Sequence, residues 1–241
     1  MLHDGQNALV VDPGDAQPVL DAVQLHGLQL RTILVTHHHM DHIGGVNALR
    51  DATGAAVFGP ATEVIPEPFV KLRGGDSVQS LGLSFAVMDV PGHTAGHIAF
   101  YGADVDGKPL LFCGDTLFSA GCGRLFEGTP QQMQHSLNSL AALPDDTQVC
   151  CTHEYTLSNL KFALEVEPSN LALQSYHARC VALRDQGLPT LPSNIALERA
   201  VNPFLRSQQD EVIASARRFD ATMAEQSGTF ATLRQWKNNY R

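Results

Sequence analysis

The chain gathers four of its eleven histidines into residues 36–42, which read Thr-His-His-His-Met-Asp-His. The run directly before the first of these histidines, Thr32–Val35, is apolar and rich in β-branched residues, as is typical of a buried strand. A globular surface has no packing reason to gather imidazoles so densely. The pattern therefore predicts a metal site whose ligands are held in place by the end of a strand.

Three other strand-like runs also end in residues that can bind a metal. Pro91-Gly92-His93 follows Ser84–Val90, Gly114-Asp115 follows Leu110–Cys113, and Thr152-His153 follows Gln148–Cys151. In layered sheets, the loops at strand ends converge on one edge while the strands hold them rigidly. We therefore expect all four loops to meet at a single site.

The expected ligand set contains imidazoles and carboxylates but no thiolate: His37, His39, Asp41, His42, His93, Asp115 and His153. Imidazole suits zinc, iron, copper and nickel, and a carboxylate can bridge two ions. These ligands exceed what one tetrahedral ion uses, whereas two metals about 3.5 Å apart that share Asp115 and a water would use them all. His38 and His97 are expected not to bind a metal, and His97 is expected to pack or to support a ligand.

The order of strands and helices predicts an α/β (α+β) fold of two packed sheets with helices outside. Between the strand-like runs, helical spacing is found at Gln17–Leu25, Gly44–Ala52 and Pro130–Leu143. From Glu154 onward strand signals fade, and helical periodicity covers Leu157–Glu165, Asn170–Gln186, Gln209–Phe219 and Gly228–Tyr240. We therefore expect a catalytic domain over residues 1–153 and a smaller helical domain over residues 154–241.

Composition and charge exclude several other classes of protein. With 44% apolar and 17% charged residues, the chain can fill a core and is not disordered. A net charge of −9 argues against binding to a nucleic-acid backbone. No apolar run approaches the roughly 20 residues that span a bilayer, and the N-terminus lacks the pattern of a secretory signal. The five cysteines show no C-x-x-C spacing, so they are expected to be reduced thiols of a cytoplasmic protein.

The motifs resemble, in order, those of the metallo-β-lactamase superfamily. Residues 36–42 match the T-H-x-H-x-D-H signature, and the other matching segments are Val11-Asp12-Pro13-Gly14, Pro91-Gly92-His93-Thr94, residues 112–116 and residues 151–155. Within the superfamily the chain most resembles glyoxalase II, the hydroxyacylglutathione hydrolases. Three segments indicate that narrower resemblance: residues 121–129, residues 202–206 and residues 233–238.

The resemblance implies an αββα sandwich with two divalent metal ions, which are usually zinc and sometimes iron or manganese. His37, His39, His93 and Asp115 would hold metal 1, and Asp41, His42, Asp115 and His153 would hold metal 2. Asp41 and Asp115 would orient the hydroxide that attacks the substrate. Asp12 is expected either to support a ligand or to be an ordinary turn residue.

The resemblance also implies a substrate, a glutathione thioester such as S-D-lactoylglutathione, which would be cleaved to glutathione and D-lactate in the second step of methylglyoxal detoxification. The glutathione contacts carry over as Arg124, Phe126, Tyr155, Arg234 and Lys237, although Phe126 lacks the hydroxyl that some relatives have. We expect a monomer with this small molecule as its partner, and neither nucleic acid nor membrane.

Two alternatives remain open on the residues alone. A persulfide dioxygenase of the same superfamily would use one iron, held by His37 or His39 with His93 and Asp115. A non-catalytic thiol- or metal-binding module would keep the ligands without turnover. Relatives also begin with a further strand, and this chain begins part-way into that first hairpin, so the edge of the first sheet is expected to be uncovered.

Overall fold

The structure is a computed structural model that describes residues 1–240, and its centre is a pair of β-sheets. The first sheet has the order β1 (Leu2–His3), β2 (Asn7–Val11), β3 (Gln29–Leu34), β4 (Ala56–Pro60) and β5 (Val70–Leu72). All pairs in this sheet are parallel except β1 with β2. The short strand β1 therefore forms one edge of the sheet.

The second sheet is mainly antiparallel. Its strands in chain order are β6 (Ser77–Ser80), β7 (Leu83–Asp89), β8 (Ile98–Val105), β9 (Lys108–Phe112), β12 (Gln148–Cys150) and β13 (Ser193–Asn194), and its spatial order is β13-β12-β9-β8-β7-β6. Only the pair of β12 and β9 is parallel. A separate hairpin joins β10 (Leu117–Phe118) to β11 (Gly121–Cys122).

The helices lie at the outer faces of the sheets and in the C-terminal third of the chain. They are α1 (Gln17–His26), α2 (Met40–Ile43), α3 (Val46–Thr53), α4 (Pro130–Ala141), α5 (Thr156–Val166), α6 (Leu171–Asp185), α7 (Ile195–Val201), α8 (Asp210–Phe219) and α9 (Ala221–Asn239). Of the helices within residues 1–240, none combines the length and the apolar character needed to cross a membrane.

Alternating side chains on the strands build three apolar layers. Leu9 and Leu34 of the first sheet pack against Phe85 and Phe100 of the second sheet, which forms the core between the sheets. The neighbouring side chains on β2 and β3 point the other way and pack against α1 and α3. Both faces of these parallel strands are buried over residues 8–10 and 33–35, and these two stretches are entirely apolar. The layers confirm the predicted αββα sandwich.

The structure differs from the predicted elements in several places, and the short strands β1, β5, β10 and β11 are not predicted by the pattern. The helix expected over Gly44–Ala52 is observed as α3, Val46–Thr53, and the short helix α2 before it is not predicted by the pattern. Gly44 and Gly45 lie where an added Cβ would meet the backbone of the 13–16 turn, so this turn can pack closely between the two helices. The helix expected from Gly228 is present, and α9 also includes a preceding helical stretch, from Ala221, that meets it across a kink at Gly228, where φ is 83° and ψ is 164°. The C-terminal segment also contains β13 and α7, which the sequence pattern does not predict.

The strand β13 links the C-terminal segment to the second sheet. Val149 of β12 pairs with Ser193, and Gln148 pairs with Asn194, in antiparallel register. The side chain of Asn194 then accepts a hydrogen bond from the Leu197 amide at 2.8 Å and so caps α7. The expected division at residue 153 stays a prediction, but a strand from beyond residue 153 completes the sheet.

Candidate metal centre

Three imidazole nitrogens converge at the ends of β3 and β7. His37 and His39 belong to the loop that follows β3, and His93 belongs to the loop that follows β7. His39 Nδ1 lies 3.1 Å from His37 Nε2 and 3.0 Å from His93 Nε2. The three nitrogens lie close enough to one another to hold one metal ion.

A second group of ligand atoms lies beside the first. His42 is on the short helix α2, Asp41 precedes it, and His153 lies in the loop after β12. Asp41 Oδ2 is 3.7 Å from His42 Nε2 and 3.4 Å from His153 Nε2. These atoms form a second candidate site that draws on a different strand end.

Asp115 lies between the two groups. Its Oδ1 is 3.5 Å from His42 Nε2 and 3.4 Å from His153 Nε2, whereas its Oδ2 is 3.4 Å from His93 Nε2. Each carboxylate oxygen therefore faces a different set of nitrogens. This is the arrangement that a carboxylate bridging two ions requires.

Hydrogen bonds behind the ligands fix the orientation of the rings. His93 Nδ1 lies 2.8 Å from the Arg124 carbonyl and donates to it, which leaves the Nε2 lone pair toward the ligand group. Asp12 Oδ2 accepts from His42 Nδ1 at 3.1 Å and from the Thr36 hydroxyl at 2.7 Å. Asp12 therefore supports the ligand loop as well as occupying a strand-end turn.

His97 supports Asp115 from the buried side. The Asp115 amide donates to His97 Nε2 at 3.1 Å, and the His97 ring stacks on His37 with centroids 4.6 Å apart. A Cβ at Gly114 would lie 2.7 Å from the His97 ring and 2.3 Å from Thr36 Oγ1. The Gly114 position, with φ of 48°, thus requires glycine for Asp115 to reach the site.

Burial keeps two of the candidate ligand imidazoles, those of His37 and His93, neutral. Burial, with a smaller contribution from neighbouring imidazoles, lowers the pKa of His37 far below its ordinary value, and burial lowers the pKa of His93 to about 4. For His42, burial also acts to lower the pKa, but the hydrogen bond and charge of Asp12, followed by Asp115 and Asp41, raise it overall. A neutral imidazole is the form that binds metals.

The polar atoms at the centre fit metal ions. His42 Nε2 and Asp115 Oδ1 are buried and have no hydrogen-bond partner among residues 1–240. A buried polar atom without a partner costs about 1–3 kcal/mol. The two atoms lie 3.5 Å apart, within the second group of ligands. Imidazoles and carboxylates without thiolates are donors that zinc, iron and manganese accept.

A cleft of about 300 Å³ lies beside the second group of ligands. Its lining includes most of the glutathione contacts that the resemblance implies: Arg124, Tyr155, Arg234 and Lys237. The ring of Tyr155 stacks on the ring of His153 with centroids 5.0 Å apart, so the cleft reaches the ligands directly. Phe126 does not line this cleft; its exposed ring stands edge-on to His39 and His93, at 5.4 and 5.3 Å.

The two basic residues of α9 lie in different surroundings. Arg234 is 6% exposed, and its Nη1 donates to the Cys122 carbonyl at 2.9 Å. Lys237 Nζ donates to the Ser158 carbonyl at 3.0 Å and lies over the Phe162 ring at 5.2 Å. Burial, with the charge of Arg234, lowers the pKa of Lys237 to about 8. Arg234 thus also anchors the backbone of the loop after β11.

The structure brings all of the sequence-predicted ligands to one place, and it adds residues that the sequence did not indicate. The two ring nitrogens of His38 face Glu63 and Glu127. The loops that carry Glu63 and Thr94 approach each other behind the ligands. No motif or periodicity indicates Glu63, because it is a single acidic residue in an irregular loop.

Two family models together match almost the entire chain. The model described as the metallo-beta-lactamase superfamily matches residues 1–64 and 60–153, and the model described as the hydroxyacylglutathione hydrolase C-terminus matches residues 154–240.

Curated relatives match over nearly their full length. A protein named hydroxyacylglutathione hydrolase from Albidiferax ferrireducens is 66% identical over 100% of this chain and 94% of its own. Proteins of the same name from Methylobacillus flagellatus and Pseudomonas aeruginosa are 52% and 55% identical, covering 100% and 96% of this chain and 94% and 90% of their own.

Solved structures share the fold. ETHE1 from Myxococcus xanthus is 29% identical with a TM-score of 0.62, covering 85% of this chain and 77% of that one. TTHA1623, solved in a di-iron-bound form, is 28% identical with a TM-score of 0.57, covering 81% of this chain and 88% of that one.

Proposed function

Since the chain belongs to the hydroxyacylglutathione hydrolases of the metallo-β-lactamase superfamily, we propose that it hydrolyses S-(2-hydroxyacyl)glutathione at its centre of histidines and aspartates. The products are glutathione and a 2-hydroxy acid, and S-D-lactoylglutathione is the substrate that fits the methylglyoxal pathway. The observation that carries the proposal is Asp115, whose two oxygens face two separate groups of ligand nitrogens.

His37, His39, His93 and Asp115 would hold one divalent ion, and Asp41, His42, Asp115 and His153 the other. Two ions bound there would supply a hydroxide nucleophile at neutral pH and polarise the thioester carbonyl. Asp115, which faces both groups of ligands, and Asp41, which faces the second group, would orient the nucleophile. Thiolate is a good leaving group, so no further general acid is assigned.

The cleft beside Tyr155 supplies the binding site for the glutathione part of the substrate. The protein carries a net charge of −9, so a local basic region must attract a tripeptide that bears two carboxylates. Arg124 and Lys237 provide that region, and Arg234 holds the Cys122 carbonyl and so the loop that presents Arg124. Phe126 forms an apolar wall beside His39 and His93, where the acyl group would lie.

We further propose zinc as the resident metal, although the same ligands accept iron and manganese.

All ligands come from one chain, so a monomer suffices for activity. The five cysteines are free thiols, which supports the expectation of a reducing, cytoplasmic location.

The test is metal analysis of the purified protein, done alongside hydrolysis of S-D-lactoylglutathione followed by the loss of thioester absorbance. Two ions per chain together with turnover support the proposal. One iron per chain with oxygen consumption would replace it with the dioxygenase alternative. Bound metal without turnover would leave only a binding module. The match of residues 154–240 to the hydrolase C-terminus favours hydrolysis over both alternatives.

A further inference from the structure

Glu63 lies outside both groups of ligands, in the loop between β4 and β5, yet its carboxylate is almost completely buried. Its side chain is 3% exposed. A buried carboxylate is unfavourable unless hydrogen bonds compensate for the lost water. The partners of this carboxylate therefore indicate what it does.

One oxygen of Glu63 contacts the loop that carries His37 and His39. Oε2 accepts a hydrogen bond from the His38 amide at 2.7 Å and lies 2.9 Å from His38 Nδ1. His38 is the residue between the two ligands, so its backbone position determines where both imidazoles lie.

The other oxygen of Glu63 contacts the loop that carries His93. Oε1 accepts from the Gly96 amide at 3.0 Å and from the hydroxyl of Thr94, the residue next to His93. With these contacts the carboxylate accepts four hydrogen bonds, which is its full capacity.

Two further observations show that the packing around Glu63 is close. A Cβ at Gly96 would lie 2.6 Å from Glu63 Cγ and 2.4 Å from Thr62 Oγ1, so the His93 loop can approach only with glycine there. Glu127 connects the same two loops from outside: it accepts from the Ala95 amide at 2.7 Å and lies 3.4 Å from His38 Nε2.

We infer that Glu63 is a positioning residue that sets the geometry of the first metal site by joining the two loops that supply its imidazoles. This inference rests on the proposed ligand assignment. Metal 1 takes His37 and His39 from one loop and His93 from the other, and Glu63 joins these two loops. Metal 2 takes no ligand from the His93 loop, and Asp12 independently holds His42.

The glutamine variant Glu63→Gln gives a direct test. The amides of His38 and Gly96 can only donate, one to each oxygen of Glu63. The side chain of glutamine has an NH₂ group in place of one of the two oxygens. In either orientation of the amide, this NH₂ group faces one of the two backbone donors and cannot accept its hydrogen bond. The loops then separate at one contact while the size of the side chain is unchanged.

We expect Glu63→Gln to bind one of the two ions about 10-fold more weakly, in line with the effect of residues that support metal ligands. The measurement is the number of zinc ions retained per chain during competition with a chelator. Loss of one ion at a lower chelator concentration is expected, while the other ion is retained as in the unmodified protein. Excess zinc should restore the activity of Glu63→Gln. A variant with a general folding defect would not recover its activity in this way.

Glu167→Gln is the matched control. Glu167 is likewise a buried glutamate, with a side chain 1% exposed, and its carboxylate accepts from Arg206 Nε at 2.8 Å rather than from a ligand loop. This variant should lose stability but retain both ions at the same chelator concentration as the unmodified protein. Equal loss of metal from both variants would overturn the inference.

The outcomes separate this inference from the proposed function. If the unmodified protein does not bind two ions, the proposed ligand assignment fails. If it binds two ions and Glu63→Gln retains both as tightly, only the role of Glu63 fails. Should Glu63→Gln not fold, Thr94→Val removes one of the four contacts alone, and a smaller weakening of the same single ion is expected; unchanged retention would again contradict the inference.

Discussion

Lys237 lies where it can meet a carboxylate of the substrate, on the wall of the cleft and beside the Ser158 carbonyl. We expect Lys237→Ala to raise KM for glutathione thioesters about 10- to 100-fold, because a charge-assisted hydrogen bond contributes about 1.5–3 kcal/mol. The contact forms equally before and during the reaction, so kcat should fall much less. Steady-state kinetics on S-D-lactoylglutathione measure both values. An unchanged KM would place the binding site elsewhere.

The pH dependence of the reaction should report the same residue. The pKa of Lys237 is lowered to about 8, so its charge is complete well below that pH and is lost as the pH rises through it. We expect kcat/KM for glutathione thioesters to fall above about pH 8, because this ratio reports the free enzyme.

Two comparisons check that assignment. Lys237→Arg should keep the high kcat/KM to higher pH, since arginine stays charged throughout. A thioester that lacks the glycine carboxylate should show no decline that depends on residue 237. A decline that persists in Lys237→Arg would assign the titration to another group.

At the level of single residues, the metal-binding side chains could be predicted because each follows an apolar strand. The residue type indicates a metal ligand, and the preceding strand indicates where in the fold it lies. Arg234 does not follow a strand; it lies within a helix. The helical periodicity of its segment does not show that its guanidinium group is buried against the Cys122 carbonyl. Glu63 could not be predicted at all, because its partners are backbone amides and polar side chains of residues distant in the sequence.

The hairpin of β10 and β11 is the element that joins the ligand Asp115 to the cleft, and polar side chains of the C-terminal segment hold it. Asn202 Nδ2 donates to the carbonyls of Phe118 and Gly121, at 3.1 and 2.9 Å. Glu198 Oε2 accepts from the Ala120 amide at 2.8 Å. These contacts give a physical role to the segment 202–206, which the resemblance had marked without explaining.

We expect Asn202→Ala to lower the free energy of unfolding by about 2–6 kcal/mol, because it leaves two buried carbonyls without a donor and each such loss costs about 1–3 kcal/mol. Urea denaturation in the presence of a chelator measures the change without a contribution from metal. Asn239→Ala is the control, since Asn239 donates only to an exposed carbonyl of its own helix. Equal stability of the two variants would mean that the hairpin does not depend on Asn202.

Among elements, the long helices and the buried strands could be predicted from periodicity and apolar runs. The strand β13 could not, since two residues, Ser193–Asn194, carry no period and pair only with a distant strand. The helix α2 was also missed, because the four residues Met40–Ile43 are too few to show a helical period.

For the whole molecule, the metal centre should contribute strongly to stability. Its ligands come from both sheets, and the unpartnered His42 Nε2 and Asp115 Oδ1 are costly without an ion. At a free zinc concentration 1,000 times the dissociation constant, each site adds about 4 kcal/mol to the free energy of unfolding. We therefore expect a chelator to lower the thermal midpoint and added zinc to restore it.

Scanning calorimetry with and without chelator measures this shift. His37→Ala removes one ligand of the first site only, so it should recover part of the midpoint when zinc is added. A midpoint that does not respond to chelator or zinc in the purified protein would contradict the presence of bound ions.

The pairing of β12 with β13 limits how members of this family can exchange parts. A chimaera joined at residue 153 would take its outermost strand from one parent and the strand beside it from the other, and Val149 would have to match a foreign Ser193. Natural or engineered recombination at this position should therefore give a folded protein only where both parents share this strand register. We therefore expect the C-terminal segment and the sandwich to change together among relatives.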